Sequence, residues 1–130
     1  MFYGCWVLGA GCWVIDMGHF EKLNVWQRSK DLAVIIYKIT ACGGFSSDVG
    51  LRDQIRRAAV SISSNIAEGD ENGSNKQAVR FLYIAKGSNA EVLTQAIIAS
   101  EIGYLTKEQF SAIEIECNIN TFAKLIDLYE

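Results

Sequence analysis

No proline occurs among the 130 residues. Helices in this chain are therefore never broken by a missing backbone donor, and punctuation falls to glycine and capping side chains. Histidine is almost as scarce, since His19 stands alone. A di-metal bundle draws Glu-x-x-His motifs from facing helices, and a Ser or Cys nucleophile needs a base beside it. One histidine outside the helical runs supplies neither, so no catalytic residue, metal or cofactor is expected. The cysteines Cys5, Cys12, Cys42 and Cys117 include no C-x-x-C pair, the spacing that places two sulfurs on one ion or in one bond. Reduced thiols and a cytoplasmic location are the expectation. A basic surplus is missing too: 12 Lys and Arg face 15 Asp and Glu, a formal net charge of -3. Dedicated nucleic-acid binders carry the opposite balance.

The opening MFYGCWVLGAGCWVID carries no charge before Asp16, yet is too short for the about 20 apolar residues of a bilayer span. It also lacks the Lys or Arg that opens a secretory signal, so no membrane partner is expected. Residues 1–18 read as a separate extension: an arm on a neighbour, a leader, or a start assigned upstream of Met17. Residues 19–130 read as one domain. Half of the chain is hydrophobic, more than a small monomer needs to hide, which points to surface buried between copies.

The periodicity predicts four helices. Asn24 with Gln27 three residues on forms a capping arrangement, followed by Val25, Leu32, Ile36 and Ile39 at helical spacing. That run ends at Cys42-Gly43-Gly44, where glycine can turn left-handed. The second helix starts near Ser47 or Asp48, buries Leu51, Ile55, Ala58, Ile62 and Ile66, and stops at Gly69. Ser74 with Gln77 caps a long third helix to Ile102. One of its faces holds Phe81, Ala85, Ser88, Val92, Ala96 and Ala99, and another holds Val79, Leu82, Leu93 and Ile97. A helix apolar on two faces must be covered on two sides. Thr106 with Gln109 caps a fourth helix with a seam of Ile115, Ile119, Phe122, Ile126 and Tyr129. The fold class is all-α, an antiparallel up-and-down four-helix bundle that forms oligomers.

The stretch SISSNIAEG gathers polar groups beside a buried stripe. Arg56, Arg57, Ser61, Asn65 and Glu68 on the second helix are matched by Gly87, Ser88, Glu91 and Gln95 on the third. Antiparallel packing lets the stripes meet, with an arginine facing Glu91 or Glu68. Gly87, costly in mid-helix by about 1 kcal/mol relative to Ala, points to close approach of another backbone. Glu68 and Glu91 as an acid and base pair would need a pocket, so a hydrogen-bonded structural seam or subunit contact is the preferred reading. A separate set, Lys22, Arg28, Lys30, Arg52, Arg56, Lys76, Arg80 and Lys86, offers a candidate nucleic-acid contact.

The stretches FEKLNVWQRSKDLAVIIYKIT, GLRDQIRRAAVSISSNIAEG, RFLYIAKGSNAEVLTQ and IGYLT occur in that order. From Phe20 to Tyr129 they resemble the bacterial four-helix bundle family, also called the 23S ribosomal RNA intervening-sequence protein family. The resemblance implies a small cytosolic protein assembled as a homopentameric ring. A related branch, the accessory variability determinants of diversity-generating retroelements, binds nucleic acid and partners a reverse transcriptase through a strongly basic surface. Here Asp70-Glu71-Asn72 stands where family members carry Gly and Arg, Ser63 or its neighbour replaces a proline, and Gly44-Phe45-Ser46 replaces a Phe-Pro. The lost charge weakens the case for tight RNA binding. The expected function is a non-enzymatic oligomeric scaffold or adaptor for itself and a protein partner. The alternative is a weak, salt-sensitive RNA- or DNA-binding accessory protein acting with a reverse transcriptase or ribosomal RNA.

Overall fold

The computed structural model describes residues 23–119 and 122–130. The extension 1–18, His19 and Lys22 lie outside the described residues, and so does the side chain of Ile119. Among the described residues six helices occur in chain order: α1 (Asn24–Thr40), α2 (Gly43–Ser47), α3 (Val49–Glu71), α4 (Asn75–Glu101), α5 (Lys107–Ile119) and α6 (Phe122–Tyr129). No strand occurs among the described residues. Helices α1, α3 and α4 are long, and α5 with α6 forms the fourth member of the bundle. Around it α3 packs on α1 and α4, α4 on α5 and α6, and α1 closes on α5. Among the described residues no helix is long and apolar enough to cross a membrane.

Side-chain caps set the starts of α3, α4 and α5. Asp48 Oδ1 accepts from the Leu51 amide at 3.1 Å, and Ser74 Oγ accepts from the Gln77 amide at 3.2 Å. Thr106 and Gln109 form a reciprocal box, with side-chain to amide distances of 3.1 and 2.9 Å, so two orphan donors are satisfied together. The Asn24 box does not form. Helix α1 already begins at Asn24 because the Leu23 carbonyl accepts from the Gln27 amide at 3.0 Å. Leu23 is thereby the N-cap, without a side-chain bond, and Asn24 is one residue too late to cap.

One glycine departs from expectation. Helix α3 runs through Gly69 to Glu71, and the left-handed residue beyond it is Gly73, at φ +77°. Gly69 is buried where α3 meets the first turn of α4: a Cβ there would lie 3.1 Å from Phe81 Cβ and 3.3 Å from the Ala78 carbonyl oxygen. Close approach, not termination, is its role. The turn after α1 matches expectation, with Gly43 at φ +64°, but it leads into the short α2, whose sequence has no apolar periodicity to announce it. That helix delivers Phe45 to the core and sets its ring 5.3 Å from that of Tyr104. A Cβ at Gly44 would overlap the Tyr104 ring.

The core is a continuous apolar stack. Leu32 and Ile36 of α1, Phe45 of α2, Ile55 and Ile62 of α3, Val92 of α4 and Ile113 of α5 are wholly inaccessible. Each large aliphatic side chain removed from water contributes about 1.5–3 kcal/mol. The fourth helical segment departs from the expected seam. Ile113 and Cys117, then Phe122 and Ile126, are buried, while Ile115 is 51% exposed. Cys117 and Phe122 are five residues apart, so the stripe changes phase where α5 gives way to α6, and a single 4-and-3 repeat cannot describe both.

Candidate functional site

The polar stripes of α3 and α4 do meet, through part of the expected set. Ser88 Oγ donates to Ser61 Oγ at 2.9 Å, and Asn65 Nδ2 donates to the Ser61 carbonyl and hydroxyl at 2.7 and 2.9 Å. Further along, Gln95 Nε2 donates to Gln54 Oε1 at 3.3 Å, while Gln95 Oε1 is buried without a partner among the described residues. Sequence reasoning misses Gln54. Its signal is spacing: it precedes Ser61 by seven residues on the same stripe, as Ser88 precedes Gln95.

The charged members do not join this network. Arg56 turns toward α1, where Nε donates to Thr40 Oγ1 at 2.8 Å and a terminal nitrogen to the Tyr37 carbonyl at 3.3 Å. Its guanidinium sits 4.6 Å from the centre of the Tyr37 ring. Position 56 lies on the α1 side of the buried arc and Ser61 on the α4 side, because residues five apart differ by well over a quarter turn. Arg57 and Glu91 are exposed and pair with no described residue, and they line an open groove of about 550 Å³ with Val49, Gly50, Asp53, Gln54, Ala58 and Ser61. Glu68 is exposed outside that groove. The structure therefore does not bring Glu68 and Glu91 together, and no arginine bridges to either. Gly87 is exposed, with no atom within 4 Å of the point a Cβ would occupy, so no described part of the chain approaches it.

The cationic set is dispersed. Lys22 lies outside the described residues. Arg28 forms a bidentate bridge to Glu116, at 2.9 and 3.1 Å, which ties α1 to α5. Lys30 pairs with Asp31 at 2.9 Å and Arg52 with Asp53 at 3.3 Å. On α4, Lys76 is exposed, Arg80 lies 5.6 Å from the Phe81 ring centre, and Lys86 lies 6.0 Å from that of Tyr83. These side chains spread over three helices and several are neutralised locally, so no single basic patch forms among the described residues.

What the fold leaves uncovered is the outer face of α4. Tyr83, Gly87, Ala90, Thr94, Ile97 and Glu101 recur by four and three residues, the spacing of a helix–helix seam, and all six are exposed. Ile84 and Ile98 flank them, 42% and 47% exposed. The second apolar face expected from the sequence is thus half covered. Leu82 is buried and Val79 and Leu93 pack against the core, but Ile97 remains 41% exposed.

Three other groups carry displaced protons. Burial pushes the Cys117 thiol up to about 12, with the neighbouring Glu116 and Glu114 adding to the effect. Tyr104 donates to Asp48 Oδ2 at 3.0 Å, and that bond raises its phenol above the ordinary value. At the opposite end Tyr129 donates to Asp70 Oδ1 at 3.3 Å, and its phenol is raised by burial and by the same carboxylate. No cluster of three metal-ligating side chains occurs among the described residues.

No curated protein matches the chain. Among solved structures, a protein of unknown function from the S23 ribosomal protein family of Bacteroides thetaiotaomicron VPI-5482 is similar at a TM-score of 0.69 and 26% identity. That match covers 78% of this chain and 97% of the other. A profile of the 23S rRNA-intervening sequence protein family matches residues 21–126. The split four-helix bundle, its capping residues and this match across most of the chain place the protein in the 23S rRNA-intervening sequence protein family.

Proposed function

We propose that the protein is a non-enzymatic, self-associating helical scaffold of the cytoplasm, pentameric as the family resemblance implies, that holds a protein or protein–RNA particle. The observation that carries this reading is the outer face of α4. Of the eleven large hydrophobic side chains left exposed among the described residues, Tyr83, Ile84, Ile97, Ile98 and Ile102 belong to α4 or its C-cap. A concentration of this kind on one helix, at seam spacing and around an open Gly87, favours a second helix against it. The polar contacts Ser61–Ser88 and Gln54–Gln95 would then fix how α3 and α4 present that face.

Light scattering coupled to size exclusion tests the reading over a range of protein concentrations. An assembly mass that is a whole multiple of the chain supports it; a monomer at every concentration overturns it. The second reading, a weak RNA- or DNA-binding accessory protein, is favoured by Lys76, Arg80 and Lys86 on α4, where no carboxylate of the described residues pairs with them. In an oligomer a modest patch is repeated, and avidity compensates for weak single contacts. Titration with a structured RNA and a single-stranded DNA at about 50 and about 200 mM salt checks it. Binding that falls steeply with salt supports this second reading, and silence at both salts removes it.

A further inference from the structure

We infer that the outer face of α4 in one copy packs antiparallel on the outer face of α3 in the next, in the register that sets Glu71 opposite Lys76, with every copy pointing the same way. The inference rests on the self-association proposed above and supplies its geometry.

Charge order favours this pairing. Helix α3 runs from Arg52 and Arg57 at its start to Glu68 and Glu71 at its end, and α4 from Lys76 and Arg80 to Glu91 and Glu101. Cations at an N-terminus and anions at a C-terminus oppose the helix dipole. Neither helix has an acidic residue in its first turn or a basic one in its last. Such placement is costly in a lone copy, and none of the ion pairs of the described residues joins α3 to α4. Within a copy the antiparallel packing of α3 and α4 already sets opposite signs side by side without an ion pair, and an antiparallel neighbour brings the opposite sign to the outer side of each end. A parallel neighbour would bring Glu71 toward Glu101 and Arg57 toward Lys76.

Shape favours it independently of charge. The outer face of α3 also repeats by fours and threes, through Asp53, Arg57, Val60, Ser64 and Ala67 to Glu71. Pairing Glu71 with Lys76 sets Tyr83 opposite Ser64, Val60 opposite Gly87, and Ile97 opposite Gly50. At each of these levels a large side chain meets a small one, as interdigitating helices require. Gly50 belongs to the groove of about 550 Å³, which would receive the isoleucine. Gly87 has open space where the Val60 side chain would enter.

This register also lies within two residues of the one inside a copy, where Ser61 meets Ser88 and Gln54 meets Gln95. Successive copies then step along the helices by only about 3 Å, two residues of 1.5 Å rise. Because α3 and α4 are different surfaces, the contact is head to tail and every copy carries one face of each kind.

Charge exchange tests the geometry. The doubly substituted Glu68→Lys/Glu71→Lys and Lys76→Glu/Arg80→Glu chains each place charges in the direction the dipole favours, so circular dichroism should show both folded. Each should associate at least about tenfold more weakly than the parent. Mixing the two in equal amounts should restore part of the association, since opposite signs meet at every contact between unlike copies and an odd-numbered ring leaves one contact between like copies, and combining all four changes in one chain should restore it fully. Ser64→Trp, at an exposed position, should abolish association without loss of helicity. If the parent associates but the exchanges have no effect, or if rescue instead requires Glu101→Lys with Lys76→Glu, α4 pairs with α4 and the inference is overturned while self-association stands. A monomeric parent overturns both.

Discussion

Two glycines sit inside long helices, Gly87 in the middle of α4 and Gly69 in the last turn of α3, and exchanging each for alanine should move stability in opposite directions. Both substitutions gain about 1 kcal/mol of helix propensity. At Gly87 nothing opposes the gain, because a Cβ meets no atom within 4 Å. At Gly69 the Cβ meets Phe81 Cβ at 3.1 Å, the Ala78 carbonyl oxygen at 3.3 Å and Ala78 Cα at 3.4 Å. Two of those atoms are backbone and cannot rotate away, so α4 must shift at its first turn. Overpacking of this kind costs about 1–3 kcal/mol, which leaves Gly69→Ala destabilised by about 1 kcal/mol and Gly87→Ala stabilised by about the same. The gap of about 2 kcal/mol corresponds to roughly 1 M in urea midpoint. Equilibrium urea unfolding is the assay, at a dilution where the midpoint no longer depends on concentration. Gly69→Ala equal to or more stable than Gly87→Ala would refute the assignment of close approach to Gly69.

Three further outcomes are expected. Ser88→Ala should cost about 1 kcal/mol by removing the bond to Ser61 across the α3–α4 interface, and the Ser61→Ala/Ser88→Ala double variant should cost less than the sum of the singles, as a thermal-melt double-mutant cycle would show. Glu91→Ala should leave the melting temperature of dilute protein unchanged, because the carboxylate is exposed and pairs with no described residue, whereas Asn65→Leu should lower it through the lost contacts to Ser61. Stability should fall as pH rises above about 9. The Cys117 thiol, ordinarily near 9, is held to about 12 in the fold, so the unfolded chain loses its proton first and gains with rising pH. The phenols of Tyr104 and Tyr129 are displaced in the same direction. Urea midpoints compared at about pH 8 and about pH 10 would settle the sign, and a Cys117→Ala chain should show a shallower fall.

Helix ends are legible wherever a side chain performs a local task. Ser74 with Gln77 and Thr106 with Gln109 act within four residues of sequence, so nothing distant can overrule them. Gly69 is easily misread because a glycine that ends a helix and one that admits a neighbour look alike in sequence. Only the position of Ala78 and Phe81 distinguishes them. Phe45 is invisible for a related reason: α2 spans five residues, Gly43–Ser47, too few to display a period, and its burial is decided by Tyr104 about sixty positions away. In the polar stripe the uncharged residues behave as their spacing implies, since Ser61, Asn65 and Ser88 are short and held at fixed angles and Gln95 is buried at the α3–α4 contact. Arginine is less readable. The long side chain of Arg56 reaches a partner on α1, and helical spacing does not say on which side of the buried arc it will find one.

A small apolar recess at one end of the bundle is lined by Leu23, Ile66, Asp70, Ala78, Leu125 and Tyr129. It brings together the start of α1, the turn joining α3 to α4, and the end of α6. Leu23 and Tyr129 therefore lie at this same pole. The far pole holds the turn built from Gly44, Asp48 and Tyr104. If copies stand side by side in one direction, all their Leu23 and Tyr129 residues fall on a single rim. A fusion partner attached after Glu130 would crowd that rim and leave the other as an unobstructed landing surface.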